Sequence, residues 1–271
     1  MMVLRNRWNI PVTDCWEPYA HGAFWDQPEE TKFLYLDAPH SICAFSPLSA
    51  KGEKLYRVPQ EFKIELPRSW RVINGHLFLS EYVGLDLRSM QLCASHTDEE
   101  RSAYRCTQLP EKYLEEGVYP FGEYTIRHKG EWGYACDAAG QQIWSFSGKG
   151  YLYTEISRHQ NSLYFLTAGQ GGYFYLLDLH TGKPILSIHT GGTAAIAEKD
   201  GLCYFLGKKP QPQLYCVDLK KGCIRETLPL PGSPDRHSVL HIWRDHLYAT
   251  TFEYKSRRPV GVLLHEIRLG S

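Results

Sequence analysis

Residues 173–185 read YFYLLDLHTGKPI, and residues 214–224 repeat the pattern as LYCVDLKKGCI. In both, an aromatic-aliphatic run of strand character leads into Asp-Leu, two polar residues and Gly, and a second strand-like run follows (KPILSI, CIRETL). Asp178 and Asp218 are placed to accept backbone N–H groups inside a tight turn, and Gly182 and Gly222 supply a left-handed residue. The unit predicted is therefore two antiparallel strands joined by that turn.

The same grammar recurs along the whole chain. YACDAAGQQIW carries Asp137 and Gly140, and VGLDLRSMQL carries Asp86. In CAFSPLSAKGEKL Ser46 takes the Asp place, and in VLLHEIRLG Glu266 takes it. These six markers stand 40 to 51 residues apart. Ahead of four of them lies a hairpin signal: INGHLFLS (73–80), HQNSLYFL (159–166), KDGLCYFL (199–206) and RDHLYATT (244–251). Asn74-Gly75 and Asp200-Gly201 suit a type I′ turn, where both central residues need positive φ. Each copy thus holds four antiparallel strands, and a period of that length with strand content is the signature of a propeller blade. The fold expected is all-β, a six-bladed β-propeller in one domain over 1–271, with seven blades the alternative because 94–124 has room for part of another unit. The last copy lacks a fourth strand, and segment 2–10, MVLRNRWNI, is expected to supply it as the outer strand of the last blade.

The strand-plus-turn motifs LDLHTG and VDLKKG resemble those of propellers built from PQQ-like and WD-like repeats. That resemblance implies the fold and no particular activity. The chain departs from the WD pattern in that no strand is expected to end in Trp-Asp, Trp25-Asp26 falling ahead of the first recognisable copy. It departs from the quinone-dependent dehydrogenases in its length and in having no adjacent Cys pair.

Composition narrows the function classes. The 271 residues are 43% hydrophobic and 22% charged, with Lys+Arg 30 balanced by Asp+Glu 30. A formal charge of +0 gives no long-range attraction to nucleic acid or an anionic membrane, so neither is an expected partner. No window approaches 18 uncharged apolar residues, and the first ten residues lack a signal-peptide core. The eight Cys are widely spaced, form no CxxC and sit in apolar runs such as SICAF and LCYF. Buried free thiols and a cytoplasmic location are expected. HExxH, GxSxG, GxxxxGK[ST] and GxGxxG are all missing, and the twelve His are scattered. No catalytic residue, cofactor or metal site is expected; His237 and His241, four apart on a strand, are poorly placed for one zinc. The Gly pair of HTGG (189–192) could cradle an anion or simply turn the chain.

Antiparallel order puts the one–two and three–four turns at one end of each blade, the turn end. The two–three loops and the blade-to-blade crossings share the other, the loop end. The length variation falls at the loop end, in 95–120, 167–172, 207–213 and 253–259. Variable loops on a rigid frame are where binding chemistry usually sits. The candidate protein-binding residues there are Glu99, Glu100, Arg101, Tyr104 and Tyr113, with Lys208, Lys209, Lys255, Arg257 and Arg258. The expected function is a non-catalytic protein-binding propeller, monomeric apart from its partner, of the kind an inhibitor or immunity protein uses against a partner toxin. The alternatives are a small-ligand or sugar- or lactone-processing propeller enzyme using the central channel, and a scaffold in a larger assembly.

Overall fold

The computed structural model describes all residues except 11–21, 38–40, 60–69, 81, 95–96, 98, 102–116, 153, 155, 169–170, 194, 236, 256–257 and 271, and the side chains of 258 and 259. Strand β1 (Met2–Ile10) opens the chain. The first blade is β2 (Gly22–Asp26), β3 (Thr31–Asp37), β4 (Ser41–Ser46) and β5 (Lys51–Arg57). The second is β6 (Arg71–Ile73), β7 (His76–Phe78), β8 (Gly84–Asp86) and β9 (Gln91–Cys93). In the third, β10 (Gly117–Phe121) leads to β11 (Tyr124–Lys129), β12 (Trp132–Cys136) and β13 (Gln142–Ser147). The fourth has its first strand in two pieces, β14 (Tyr151–Leu152) and β15 (Ser157–His159), both paired to β16 (Ser162–Ala168); β17 (Tyr173–Asp178) and β18 (Pro184–His189) complete it. The fifth is β19 (Ile196–Lys199), β20 (Leu202–Gly207), β21 (Gln213–Asp218) and β22 (Cys223–Pro229). The sixth runs β23 (Leu240–Trp243), β24 (His246–Lys255), β25 (Arg258–Leu269), and then β1 as its outer strand. Six four-stranded antiparallel sheets, the last completed by the N-terminal strand, make the fold a six-bladed β-propeller.

Contacts within the chain divide the blades into two compact units. One comprises residues 1–2 and 109–236 and holds the third to fifth blades; the other comprises 3–108 and 237–271 and holds the first, second and sixth.

The markers set the register. Asp86 lies opposite His76, Asp178 opposite Ser162 and Asp218 opposite Leu202, so each faces the first residue of its blade's second strand. In these three copies the next residue is a buried Leu that donates its N–H back into the one–two turn: Leu87 to Gly75 O, Leu179 to Asn161 O and Leu219 to Gly201 O. Asn74, Gly75, Asp200 and Gly201 all have positive φ, as the hairpin turns require.

Two expectations are corrected. In the sixth blade Leu269 makes the marker bond, to Asp245 O, and Arg268 faces His246, so the marker place belongs to Arg268 and not to Glu266. The reason is that β1 supplies the fourth strand from the other terminus. No three–four turn follows β25, and no turn-closing Asp is needed there. Glu266 faces Tyr248 two residues earlier, accepting from Tyr248 Oη (3.2 Å) and Asn6 Nδ2 (2.6 Å). Trp25-Asp26, in turn, ends β2 and so lies within the first blade rather than ahead of it.

Burial follows strand position. The second and third strands, such as β16 and β21, are buried along nearly their whole length and read as continuous apolar runs. The outer strands β13 and β18 alternate or stay exposed. One unit's cores gather Phe146, Phe165 and Tyr175, and then Phe174, Phe205 and Tyr215. The other's gather Ile10, Phe33 and Phe252, and then Leu34, Trp70 and Leu85. Cys43, Cys93, Cys136, Cys203, Cys216 and Cys223 are free thiols. Cys15 and Cys106 lie outside the described residues.

Candidate functional site

The two ends of the blades use their polar groups differently. At the turn end the side chains serve the fold. Asp178 Oδ1 accepts from the N–H of His180 (3.1 Å) and of Thr181 (2.8 Å), and from the Thr181 hydroxyl (2.8 Å). Asp137 Oδ1 takes the N–H of Ala139 and Gln141, Asp86 Oδ1 those of Arg88 and Ser89, and Asp218 Oδ1 that of Lys221. Burial alone would push the Asp178 carboxyl up, but the Thr181 and His180 hydrogen bonds outweigh it and hold the group below the usual carboxylate range. His180 Nδ1 meets Tyr124 Oη at 2.9 Å, and Glu198 lies 3.8 Å from His159 Nδ1 while capping Gly201 N–H. In the other unit Asp26 pairs with His241 Nε2 at 2.7 Å under the stacked Phe24 ring. Burial pushes the Asp26 carboxyl up, yet the His241 and Thr31 hydrogen bonds bring it below its ordinary value.

At the loop end of the fourth and fifth blades a continuous strip of side chains faces outward. Lys149, in the crossing from β13, has its ammonium 5.6 Å above the Tyr173 ring, a cation–π contact. Tyr173 stacks on His189 with centroids 5.0 Å apart and the planes at 23°. The His189 ring lies against Gly171, where a Cβ would fall 2.6 Å from Nε2. Gly191 then abuts Lys208 and Lys209: a Cβ on it would lie 3.0 Å from Lys208 Cβ and 3.3 Å from Lys209 Cγ. Lys149, His189 and Lys209 are exposed, Tyr173 and Lys208 half-buried.

The strip stands on a tied floor. Tyr175 Oη accepts the Lys149 N–H at 2.7 Å, and Tyr215 Oη donates to Lys209 O at 2.6 Å while receiving Gln213 Nε2. Burial pushes the Tyr175 phenol up, so it stays protonated across the neutral range. The HTGG segment is part of this floor and turns the chain: Thr190 N–H donates to Gly172 O, Gly191 N–H to Gly171 O and Gly172 O, and Lys208 N–H to Thr190 O.

Of the expected binding residues, the structure brings Lys208 and Lys209 together in this strip. Lys255 is exposed at the end of β24, opposite Arg258, on the loop end of the sixth blade in the other unit. Tyr104, Tyr113 and Arg257 lie outside the described residues, as does the Arg258 side chain. Glu99, Glu100 and Arg101 form a helical turn whose placement corrects the expectation. Glu100 Oε2 accepts the Thr97 N–H and Thr97 Oγ1 the Glu100 N–H, a capping box, and Glu100 Oε1 accepts Asn74 Nδ2 at 3.0 Å. Asn74 belongs to a one–two turn, so Glu100 sits at the turn end of the second blade, not the loop end. Lys149, Tyr173 and His189 were not among the expected residues. The available signal was the Tyr-x-Tyr alternation at 173–175, which puts both rings on one strand face directly after a Gly-rich loop.

Among the described residues no group of three or more His, Cys, Asp or Glu is placed to hold a metal ion, and no helix is long and apolar enough to cross a membrane. No protein-family model matches the chain, and no curated protein matches it in sequence. Solved structures with a similar arrangement include BamB from Moraxella catarrhalis, at 8% identity and TM-score 0.45 over 99% of this chain and 98% of that one. The WD40 propeller domain of Doa1 is 12% identical, with TM-score 0.42 over 92% of this chain and 78% of that one. The computationally designed Ika8 protein is 9% identical, with TM-score 0.42 over 92% and 97%. At those values the fold assignment rests on the strand pairings themselves.

Proposed function

We propose that this chain is a non-catalytic binding protein that docks a protein partner through the loop ends of its blades. The observation that carries the reading is the contrast between the two ends. Turn-end carboxylates and imidazoles bond one another, a phenol and the backbone, whereas the loop end of the fourth and fifth blades presents an outward-facing Lys149–Tyr173–His189–Lys208–Lys209 strip on a hydrogen-bonded floor. Aromatic rings held on a rigid frame lose little entropy on binding, which favours them as interface anchors. The finer reading is an inhibitor that neutralises a partner toxin. Its support is the neutral overall charge of a small propeller with no catalytic motif, and a toxin-like reading frame beside the gene would favour it.

The test is capture of a partner from the native host, followed by substitutions loop by loop. Truncating a half-buried aromatic anchor such as Tyr173 to Ala is expected to weaken the complex by about 2 kcal/mol or more. Lys255→Ala, at an exposed position, is expected to cost under about 1 kcal/mol. Affinity that ignores every loop-end change yet falls with His180→Ala or Lys220→Ala would place the interface at the turn end and overturn the proposal.

A further inference from the structure

We infer that the Lys149–Tyr173–His189–Lys208–Lys209 strip takes an extended acidic segment of the partner, carboxylates meeting the lysines and one apolar or planar side chain lying on the Tyr173–His189 stack. The inference rests on the docking reading above and names the chemistry of what docks.

Charge supplies the first argument. In a chain whose acids and bases balance at 30 each, the described loops at the loop end of the third to fifth blades (129–132, 148–150, 171–173, 189–193 and 207–213) carry four lysines, Lys129, Lys149, Lys208 and Lys209. Against them stand two carboxylates, Asp235 in the crossing that follows β22 and Glu131, which accepts the Gly150 N–H at 3.2 Å. The surplus is local and positive, so the complement is anionic.

The kind of anion follows from what the strip lacks. A compact phosphate is typically held by a nest of free backbone N–H groups or by a bidentate guanidinium. Three N–H groups of the glycine-rich turn and the loop beside it, those of Thr190, Gly191 and Lys208, already donate to carbonyls. The strip's cations are lysines, hydrated point charges on flexible stems spread along a line. Separate carboxylates along an extended peptide match that layout. The flat Tyr173–His189 pair, with Trp132 62% exposed on the neighbouring blade's hairpin, offers area for a side chain between them.

The test uses the whole protein and a fluorescein-labelled peptide of alternating Glu and Ala with one central Phe, followed by anisotropy. Binding is expected at about 50 mM salt and is expected to fade toward about 500 mM. The Lys208→Glu, Lys209→Glu double variant should weaken it about tenfold or more, with Lys208→Gln, Lys209→Gln between. Tyr173→Ala should weaken the Phe peptide more than its Phe→Gly counterpart. Reversing Lys220 and Lys221 at the turn end should leave binding unchanged. No binding at low salt, equal binding of a Gln-for-Glu peptide, or equal loss on reversing Lys220 and Lys221 would overturn the inference. So would tighter binding of an oligodeoxythymidine, which would point to nucleic acid. A native partner sensitive to Tyr173→Ala but indifferent to lysine reversal would overturn the acidic-segment inference and leave the docking reading standing. A partner indifferent to every loop-end variant would overturn the docking reading itself.

Discussion

Asp178 shows how much one residue does in this repeat. Its Oδ1 gathers two backbone N–H groups and a hydroxyl, while Gly182 closes the turn by donating to the Asp178 carbonyl with φ at +65°. Asp178→Ala is expected to cost about 1–2 kcal/mol, read as a lower urea midpoint with an unchanged m-value. The two marker glycines separate backbone strain from packing. At Gly140 an added Cβ meets open space, so Gly140→Ala should cost only about 1–2 kcal/mol for the left-handed backbone. At Gly182 it would overlap the buried Trp144 ring, whose Nε1 is fixed on Leu179 O, so Gly182→Ala should cost about 3 kcal/mol or more. Equal losses for the pair would contradict the packing account. Burial depresses His128 to about 4, beneath the edge-on Phe165 ring. The unfolded chain, with His near 6.5, therefore binds the proton first. Stability from this residue is whole above about pH 6.5 and is lost as pH falls toward about 4. His128→Leu should flatten that part of the stability–pH curve, and an unchanged slope would show that His128 is accessible. The turn residues were legible in sequence because Asp and Gly act within five residues of each other. The strip was only half legible, through Lys208 and Lys209. Lys149, Tyr173 and His189 come from separate stretches and meet only once strands pair, and Tyr173 reads as one more strand aromatic.

At the scale of elements, β1 has the largest leverage. It buries Met2 and Ile10 and brings Trp8 to within 5.7 Å of Phe45, while covering the edge of the twelve-residue β25. Deleting residues 1–10 should remove about 3 kcal/mol or more from those side chains alone, and the bared edge should promote association. Calorimetry and light scattering check both; a truncated chain that melts like the parent and stays monomeric would contradict the role given to β1. This closure was legible because a copy short of one strand and a spare strand at the other terminus are each visible in the pattern. The slip from Arg268 to Glu266 has the same origin. A blade completed from the other terminus needs no turn after its third strand, so the Asp-x-x-x-Gly signal that fixes the register elsewhere is missing, and an acidic residue two places early imitates it. The turn-end place of Glu100 was not legible, because the capping box of Thr97 and Glu100 is a local pattern that looks the same at either end of a blade.

For the molecule as a whole, the thiols and the docking end are the testable properties. Burial pushes the Cys203 thiol well up, with Glu198 adding to the shift, and Cys43 and Cys216 are raised by burial as well, which keeps them protonated and inert. Thiol titration of unfolded, unreduced protein should find all eight Cys free; two stable bridges would contradict that. The central claim is that the protein binds through the loop ends of its blades. Hydrogen–deuterium exchange of the protein alone and in complex with its captured partner tests that claim most directly, because it reads both ends of every blade at once. The account predicts slowed exchange in 148–150, 189–193 and 207–213, with the turns at 86–90, 178–182 and 218–222 unchanged. Protection confined to those three turns, with the loop segments exchanging as in the free protein, would contradict it.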